Sequence, residues 1–170
     1  AFDEYSAQRI LAEAFAAYPV ETVCHELIFR ALNAIGAGWF HGDITVQQEH
    51  FASSLGLRQL EALLAAQSTV VRGERVLVAN PDGELHTFSP LLLSLMFRRR
   101  GLDVVYLGAN VPVMRMNDML QQVKPAVVVL SAQTLRTAAS LKQMAEFLFD
   151  EGMMVLYGGA VFNNIPALRQ

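Results

Sequence analysis

Asn80-Pro81-Asp82-Gly83-Glu84-Leu85-His86-Thr87-Phe88-Ser89 follows the compact apolar run Val76-Leu77-Val78-Ala79 and precedes an apolar segment of helical spacing, Leu91 to Phe97. An apolar run that ends in Asn-Pro-Asp-Gly and hands over to a helix reads as the first strand–turn–helix unit of an α/β sheet. Ligands of open α/β sheets bind outside the carboxyl ends of the strands. This turn places an acid and an imidazole there, Glu84 and His86, with Leu85 between them. A histidine that ligates a metal commonly donates its other ring N–H to a carboxylate, which fixes the tautomer. Glu84 stands where such a partner would be. The bland alternative is an exposed loop histidine beside a solvated glutamate.

On the C-terminal side, apolar runs at 103–107, 126–130 and 153–157 join that at 76–79, with helical segments near 88–100, 113–123 and 135–150 between them. Strands alternating with helices predict a parallel sheet. On the N-terminal side the period is helical. Tyr5 to Ala17 carries a stripe of Ile10, Leu11, Ala14 and Phe15, and Pro19 breaks it. Val20 to about Gly38 reads as a second helix, punctuated by Gly36, Gly38 and Gly42-Asp43. Thr45-Val46-Gln47-Gln48 has the form of a capping box opening a third helix that runs to about Ala66. Ser68 to Glu74 is polar enough for a linker. The expected organisation is a helical bundle over 1–69 and an α/β domain over 74–170, cut short at its C-terminal end.

Hydrophobic residues make up 53% of the 170 and charged residues 17%. No apolar run reaches the roughly 18–20 residues of a membrane span, so the apolar excess points to an oligomer interface, an apolar ligand pocket, or both. A net charge of -3 argues against nucleic-acid binding by this stretch. Arg98-Arg99-Arg100 closes a helix, where cations suit the dipole. The single cysteine, Cys24, excludes an internal disulfide and a cysteine metal cluster and reads as a small core residue. With no signal-peptide pattern, a reduced cytoplasmic setting is expected.

Other residues fall where a ligand would meet them. Trp39 and the pair Glu49-His50 flank the Gly42-Asp43 turn. Ser131 ends the run Val127–Leu130, and Gly158-Gly159 ends Val155-Leu156-Tyr157. A hydroxyl and two residues without Cβ let a ligand approach the backbone closely. A tryptophan core anchor, an exposed charged pair and ordinary strand–helix turns are the plain readings of each alone. No Gly-x-Gly-x-x-Gly follows the first strand, and neither a Walker loop nor a serine-hydrolase elbow is present.

Taken together, Glu84-x-His86, Ser131 and Gly158-Gly159 resemble the cobalamin-binding domains of methionine synthase and the corrinoid proteins, whose pattern is Asp/Glu-x-His-x-x-Gly, then Ser-x-Leu, then Gly-Gly. Trp39 followed by Glu49-His50, with Val46 at the apolar wall position, is similar to the helical cap of the cobalamin-dependent photoreceptor regulators that carry a MerR-type DNA-binding half. The resemblance implies a Rossmann-like (flavodoxin-like) sheet of five parallel strands beneath that cap. It implies His86 as lower axial ligand to cobalt, and a displaced nucleotide tail threading past Ser131 towards Gly158 and Gly159. Thr87, Ser89 and Val111 are carried over as further contacts to the cofactor, and Trp39, Val46, Glu49 and His50 as the cover of its upper face. The chain would then be a non-enzymatic light sensor holding cobalamin, as adenosylcobalamin or else methylcobalamin. Photolysis of the cobalt–carbon bond would shift the cap and change the state of a homo-oligomer, a dimer or tetramer. DNA would be met only through a domain outside this stretch, and no membrane would be involved. The alternatives are a corrinoid methyl carrier of a methyltransferase system and a cobalamin or redox sensor without light chemistry. Three positions depart from the pattern: Ser89 replaces its glycine, Gln133 replaces the leucine of Ser-x-Leu, and Phe40 follows Trp39 where some regulators carry a histidine, His41 coming one residue later.

Overall fold

The computed structural model describes residues 2–67 and 73–169. The chain divides into two compact units, Ala1–Leu63 and Leu64–Gln170. The linker expected at 68–74 falls, apart from Gly73 and Glu74, outside the described residues.

The first unit is helical. Helix α1 spans Glu4–Ala17, opened by Asp3, whose Oδ1 accepts from the Ser6 N–H at 3.0 Å. It stops at the extended Tyr18, the conformation that a following proline enforces. A turn of helix α2, Val20–Thr22, runs into a π-helix, Val23–Phe29, and then into α3, Arg30–His41. The expected second helix is therefore one helical run with a widened segment inside it, and it ends three residues later than the glycines suggested. Gly38 does not stop it: a Cβ there would lie 2.8 Å from Ile44 Cδ1, so Gly38 lets the following turn close against the helix. The stop is Gly42, at φ +85°, whose N–H donates to Trp39 O. Helix α4, Val46–Ala65, opens on the predicted box: Thr45 N–H donates to Gln48 Oε1 (2.9 Å) and Gln48 N–H to Thr45 Oγ1 (3.3 Å). Gly56 brings α4 close to the preceding helical run, since a Cβ would meet Leu32 Cδ1 at 3.0 Å. Leu11, Val23, Cys24, Ile28 and Leu60 are buried, so Cys24 is a core residue as expected.

The second unit alternates strand and helix: β1 Arg75–Pro81, α5 Phe88–Arg99, β2 Asp103–Val111, α6 Met116–Val123, β3 Val127–Ser131, α7 Leu135–Asp150, β4 Met154–Gly158 and the short α8 Ala160–Asn164, with a final 3₁₀ turn at Pro166–Arg169. The strands are parallel in the order β2-β1-β3-β4. Among the described residues the sheet has four strands, not the five implied by the resemblance. Four is also the number of β-rich apolar runs in the sequence.

Residues 76–81 of β1 are buried, the mark of a central strand with helices on both faces. Val76 and Val78 face one side with Val104 and Val129, packed by Leu93 and Phe97 of α5. Leu77 and Ala79 face the other with Val128, Leu130, Met116, Leu120, Leu141, Met144 and Leu148. At roughly 25 cal/mol per Å² of apolar surface, each such residue buried contributes about 1.5–3 kcal/mol before chain entropy is counted. From β1 the chain passes to β2 on one side and from β2 crosses to β3 on the other, so the strand order reverses between β1 and β3. That is the switch point where open α/β sheets form their crevice.

Candidate functional site

The crevice is built by the β1–α5 and β3–α7 connections. A tight turn closes the first, with Glu84 N–H donating to Pro81 O at 3.0 Å and Gly83 at φ +78°, a conformation that suits glycine. Asn110, itself left-handed at φ 56°, holds this turn from the bulged end of β2. Its Oδ1 accepts from Gly83 N–H (2.8 Å) and its own N–H donates to Glu84 O (3.1 Å). Asn80 Nδ2 donates to the His86 carbonyl at 3.0 Å, which ties the far side of the loop.

Glu84 is wholly buried, whereas the His86 side chain is 67% exposed. The carboxylate meets His86 Nδ1 at 2.6 Å and accepts the His86 N–H at 2.9 Å. Its other oxygen accepts from the backbone N–H of Gln133 (2.7 Å) and from Thr137 Oγ1 (2.6 Å). Burial pushes the Glu84 carboxyl up, but the bonds from Thr137, the His86 and Gln133 backbones and the His86 ring together outweigh it and hold the group below the usual carboxylate range. A carboxylate ionised in this way can only accept, so Nδ1 carries a proton, and in the neutral ring the lone pair then lies on Nε2. Such a carboxylate partner orients an exposed imidazole and fixes its tautomer, as the partners of metal-ligating histidines do.

Thr137 is the residue sequence reasoning missed. Thr134-x-x-Thr137 caps α7, with Thr134 Oγ1 accepting from Thr137 N–H and Thr137 Oγ1 from Thr134 N–H. That local signal was readable, but its second use, a bond to a carboxylate 53 positions away, was not.

Of the other residues expected in the site, Ser131 and Gly158 pair across β3 and β4. Gly159 takes φ +128°, and a Cβ there would lie 1.8 Å from Ala132 O, so it is required for the two strand exits to touch. At Gly158 a Cβ would meet nothing within 4 Å. Thr87 precedes α5, Ser89 is exposed in its first turn, and Val111 ends β2 packed against the main core. In the helical unit Trp39 is half-exposed in the last turn of α3, and Val46, Glu49 and His50 lie in the first turns of α4, across the Gly42–Thr45 turn. His50 Nδ1 and Glu49 Oε2 are 2.6 Å apart. Phe40 is 81% exposed and His41 exposed beside it.

Beside His86 the loop exposes Leu85, and the connection after β2 exposes Met114. A single exposed imidazole at the carboxyl edge of an α/β sheet suits a ligand that brings its own metal, and places the chain among cofactor-site folds of the open α/β class. Residues 74–170 match the B12 binding domain family, and residues 1–64 match a second family model of the same description. The chain belongs to the B12 binding domain family, and the cofactor is accordingly of the cobalamin or corrinoid class.

Over 138 residues the chain is 30% identical to the HTH-type transcriptional repressor CarA of Myxococcus xanthus, covering 81% of this chain and 46% of that protein. With the repressor CarH of the same organism the identity is 29% over 171 residues, covering 99% of this chain and 57% of the relative. The chain thus spans about half the length of these curated relatives. The monomethylamine corrinoid protein of Methanosarcina barkeri has the same fold, with a TM-score of 0.78 at 18% identity over 94% of this chain and 80% of that one. These names are of regulators and of a corrinoid protein. Among the described residues no helix is long and apolar enough to cross a membrane.

Proposed function

We propose that this chain is the cobalamin-binding sensor part of a light-responsive transcription regulator. The observation that carries the cofactor reading is the 2.6 Å contact between His86 Nδ1 and the buried Glu84 carboxylate, which leaves Nε2 of an exposed ring to act as the cobalt ligand at the carboxyl edge of the sheet. Glu84, Thr137 and the Gln133 backbone keep that ring in place. Ser131, Gly158 and Gly159 receive the nucleotide tail, with Thr87, Ser89 and Val111 as nearer contacts. Trp39, Val46, Glu49 and His50 hold the upper substituent, a half-exposed indole beside an acid–imidazole pair suiting a polar aromatic group such as adenosine. When bound, adenosylcobalamin supplies a light-labile cobalt–carbon bond. The similarity to CarA and CarH supports the regulator reading. In that reading the protein self-associates with the adenosyl form in the dark and separates on illumination.

The likeness of fold to the monomethylamine corrinoid protein favours a second reading, a methyl carrier. Absorption spectra and light-scattering mass with adenosyl- and methylcobalamin, in darkness and after light, separate the two. The sensor reading expects tighter adenosyl binding and a mass that falls on illumination. Equal affinities and an unchanged mass would overturn it in favour of the carrier. His86→Ala should remove the histidine-ligated spectrum in either case, and its persistence would refute His86 as the ligand.

A further inference from the structure

Helix α4 carries a second set of hydroxyl, carboxylate and imidazole. Ser53 Oγ donates to Glu49 Oε1 at 2.5 Å, and Glu49 Oε2 meets His50 Nδ1 at 2.6 Å. Hydroxyl and ring take separate oxygens, as Thr137 and His86 do on Glu84. Here all three residues lie on one helix. Positions 49 and 53 are one turn apart on the same face, whereas neighbouring positions such as 49 and 50 do not face each other. The carboxylate has to lean round the helix to meet the ring, and the bond on its other oxygen keeps it there. Exposure follows the same division, with the Glu49 side chain 23% exposed and that of His50 74%.

The helical unit has another neighbouring pair, His25 and Glu26, which is built differently. Glu26 is half-exposed, and its second oxygen meets the Arg30 guanidinium at 3.1 Å. A guanidinium offsets the charge that draws the ring proton, whereas a hydroxyl orients a carboxylate and leaves its charge in place. A carboxylate at neutral pH only accepts, so His50 Nδ1 carries a proton, and in the neutral ring the lone pair lies on Nε2.

From this geometry we infer that Ser53 is a positioning residue: it fixes Glu49 so that His50 turns an acceptor nitrogen outwards and favours an upper substituent that donates hydrogen bonds. The inference rests on the reading in which Glu49 and His50 hold the upper group of the cofactor. An adenosyl group offers hydroxyl and amine donors, and a methyl or propyl group offers none. Without the Ser53 hydroxyl the carboxylate is free to swing, and the ring loses its bias towards one tautomer.

Two measurements on the whole chain test this. In the free protein at mildly alkaline pH, heteronuclear NMR of the His50 ring nitrogens, assigned with His50→Gln, should show the Nδ1–H tautomer in the parent and a mixture in Ser53→Ala. In darkness, titration with adenosyl-, methyl- and propylcobalamin gives the ratios of dissociation constants. A neutral hydrogen bond corresponds to about two- to tenfold. Ser53→Ala should lower the adenosyl preference within that range, with methyl and propyl affinities within about twofold of the parent. Ser53→Thr, which keeps the hydroxyl, should restore both the tautomer and the preference. In a Glu49→Gln background Ser53→Ala should cost no further preference. An unchanged tautomer in Ser53→Ala, an equal fall for all three cobalamins, or an adenosyl preference that survives the substitution would overturn the inference and leave the reading of the upper group standing. A parent with no adenosyl preference would overturn both.

Discussion

Thr137→Val removes one hydroxyl from the buried end of the site and replaces it with a methyl of similar size. The Thr137–Glu84 bond is short, 2.6 Å, and its acceptor is an ionised carboxylate with no exposure to water. Hydrogen bonds to charged groups contribute about 1.5–3 kcal/mol. Glu84 retains three donors, the Gln133 and His86 backbones and the His86 ring, so we expect a loss near the middle of that range. The cap adds to it, because Thr137 Oγ1 also accepts the Thr134 N–H at 3.1 Å. Thr134→Ala removes the reciprocal capping bond, from Thr137 N–H to Thr134 Oγ1, and sets the scale of one cap bond without touching the Glu84 contact, about 1 kcal/mol. Urea unfolding at pH 7, followed by far-ultraviolet circular dichroism, should show Thr137→Val destabilised by about 2–3 kcal/mol. Thr137→Ser, which keeps the hydroxyl, should recover most of the loss. A Thr137→Val no less stable than Thr134→Ala would refute the claim that the hydroxyl supports the carboxylate.

The depressed Glu84 carboxyl has a signed consequence: below the ordinary glutamate pKa of about 4.3 the unfolded chain takes up a proton that the folded chain refuses. Its stabilising contribution is complete above that pH and is lost as pH falls through the lowered value, so Glu84→Gln should flatten the acid limb of a pH–stability profile measured between pH 5 and 2.5. Gly159→Ala places a methyl against Ala132 O at a left-handed φ, and an unfolding free energy lowered by at least about 2 kcal/mol is expected from urea titration. Asn110→Ala loses both the bond to Gly83 and a residue tolerant of φ 56°. It should cost more than Asn110→Gly, which loses only the bond, by about 0.5–1 kcal/mol.

How far the sequence could be read follows from how local each cause is. The central strands β1 and β3 were legible because a central parallel strand must be apolar on both faces, as Val76-Leu77-Val78-Ala79 is. The box at Thr45 and Gln48 was legible because its two bonds lie within one turn. So was Glu84-x-His86, whose partners lie two residues apart. Strand β2 reaches Val111, beyond the expected 107, because Gly108 and Asn110 take left-handed angles that carry a bulge where the composition resembles a turn. The π-helix was not legible, since Val23–Phe29 has the same apolar spacing as the helix around it. Glycine misled at residue 38, where it serves a close contact and not a stop. Thr137 and Asn110 lay outside local reading altogether, because only the sheet order brings them to the loop of Glu84.

Glu84 lies below the surface and His86 above it, which separates two kinds of inheritance. The acid is locked into the framework by β3 and α7, so changing it disturbs the whole sheet unit. Exposed apolar side chains such as Leu85 and Met114 face outward and carry little of the framework. They can drift, lineage by lineage, without loosening the anchor. A scaffold divided in this way can pass its cofactor from one occupation to another by editing only what surrounds it. That offers a physical reason for the fold of a chain similar to repressors to be shared with a corrinoid protein.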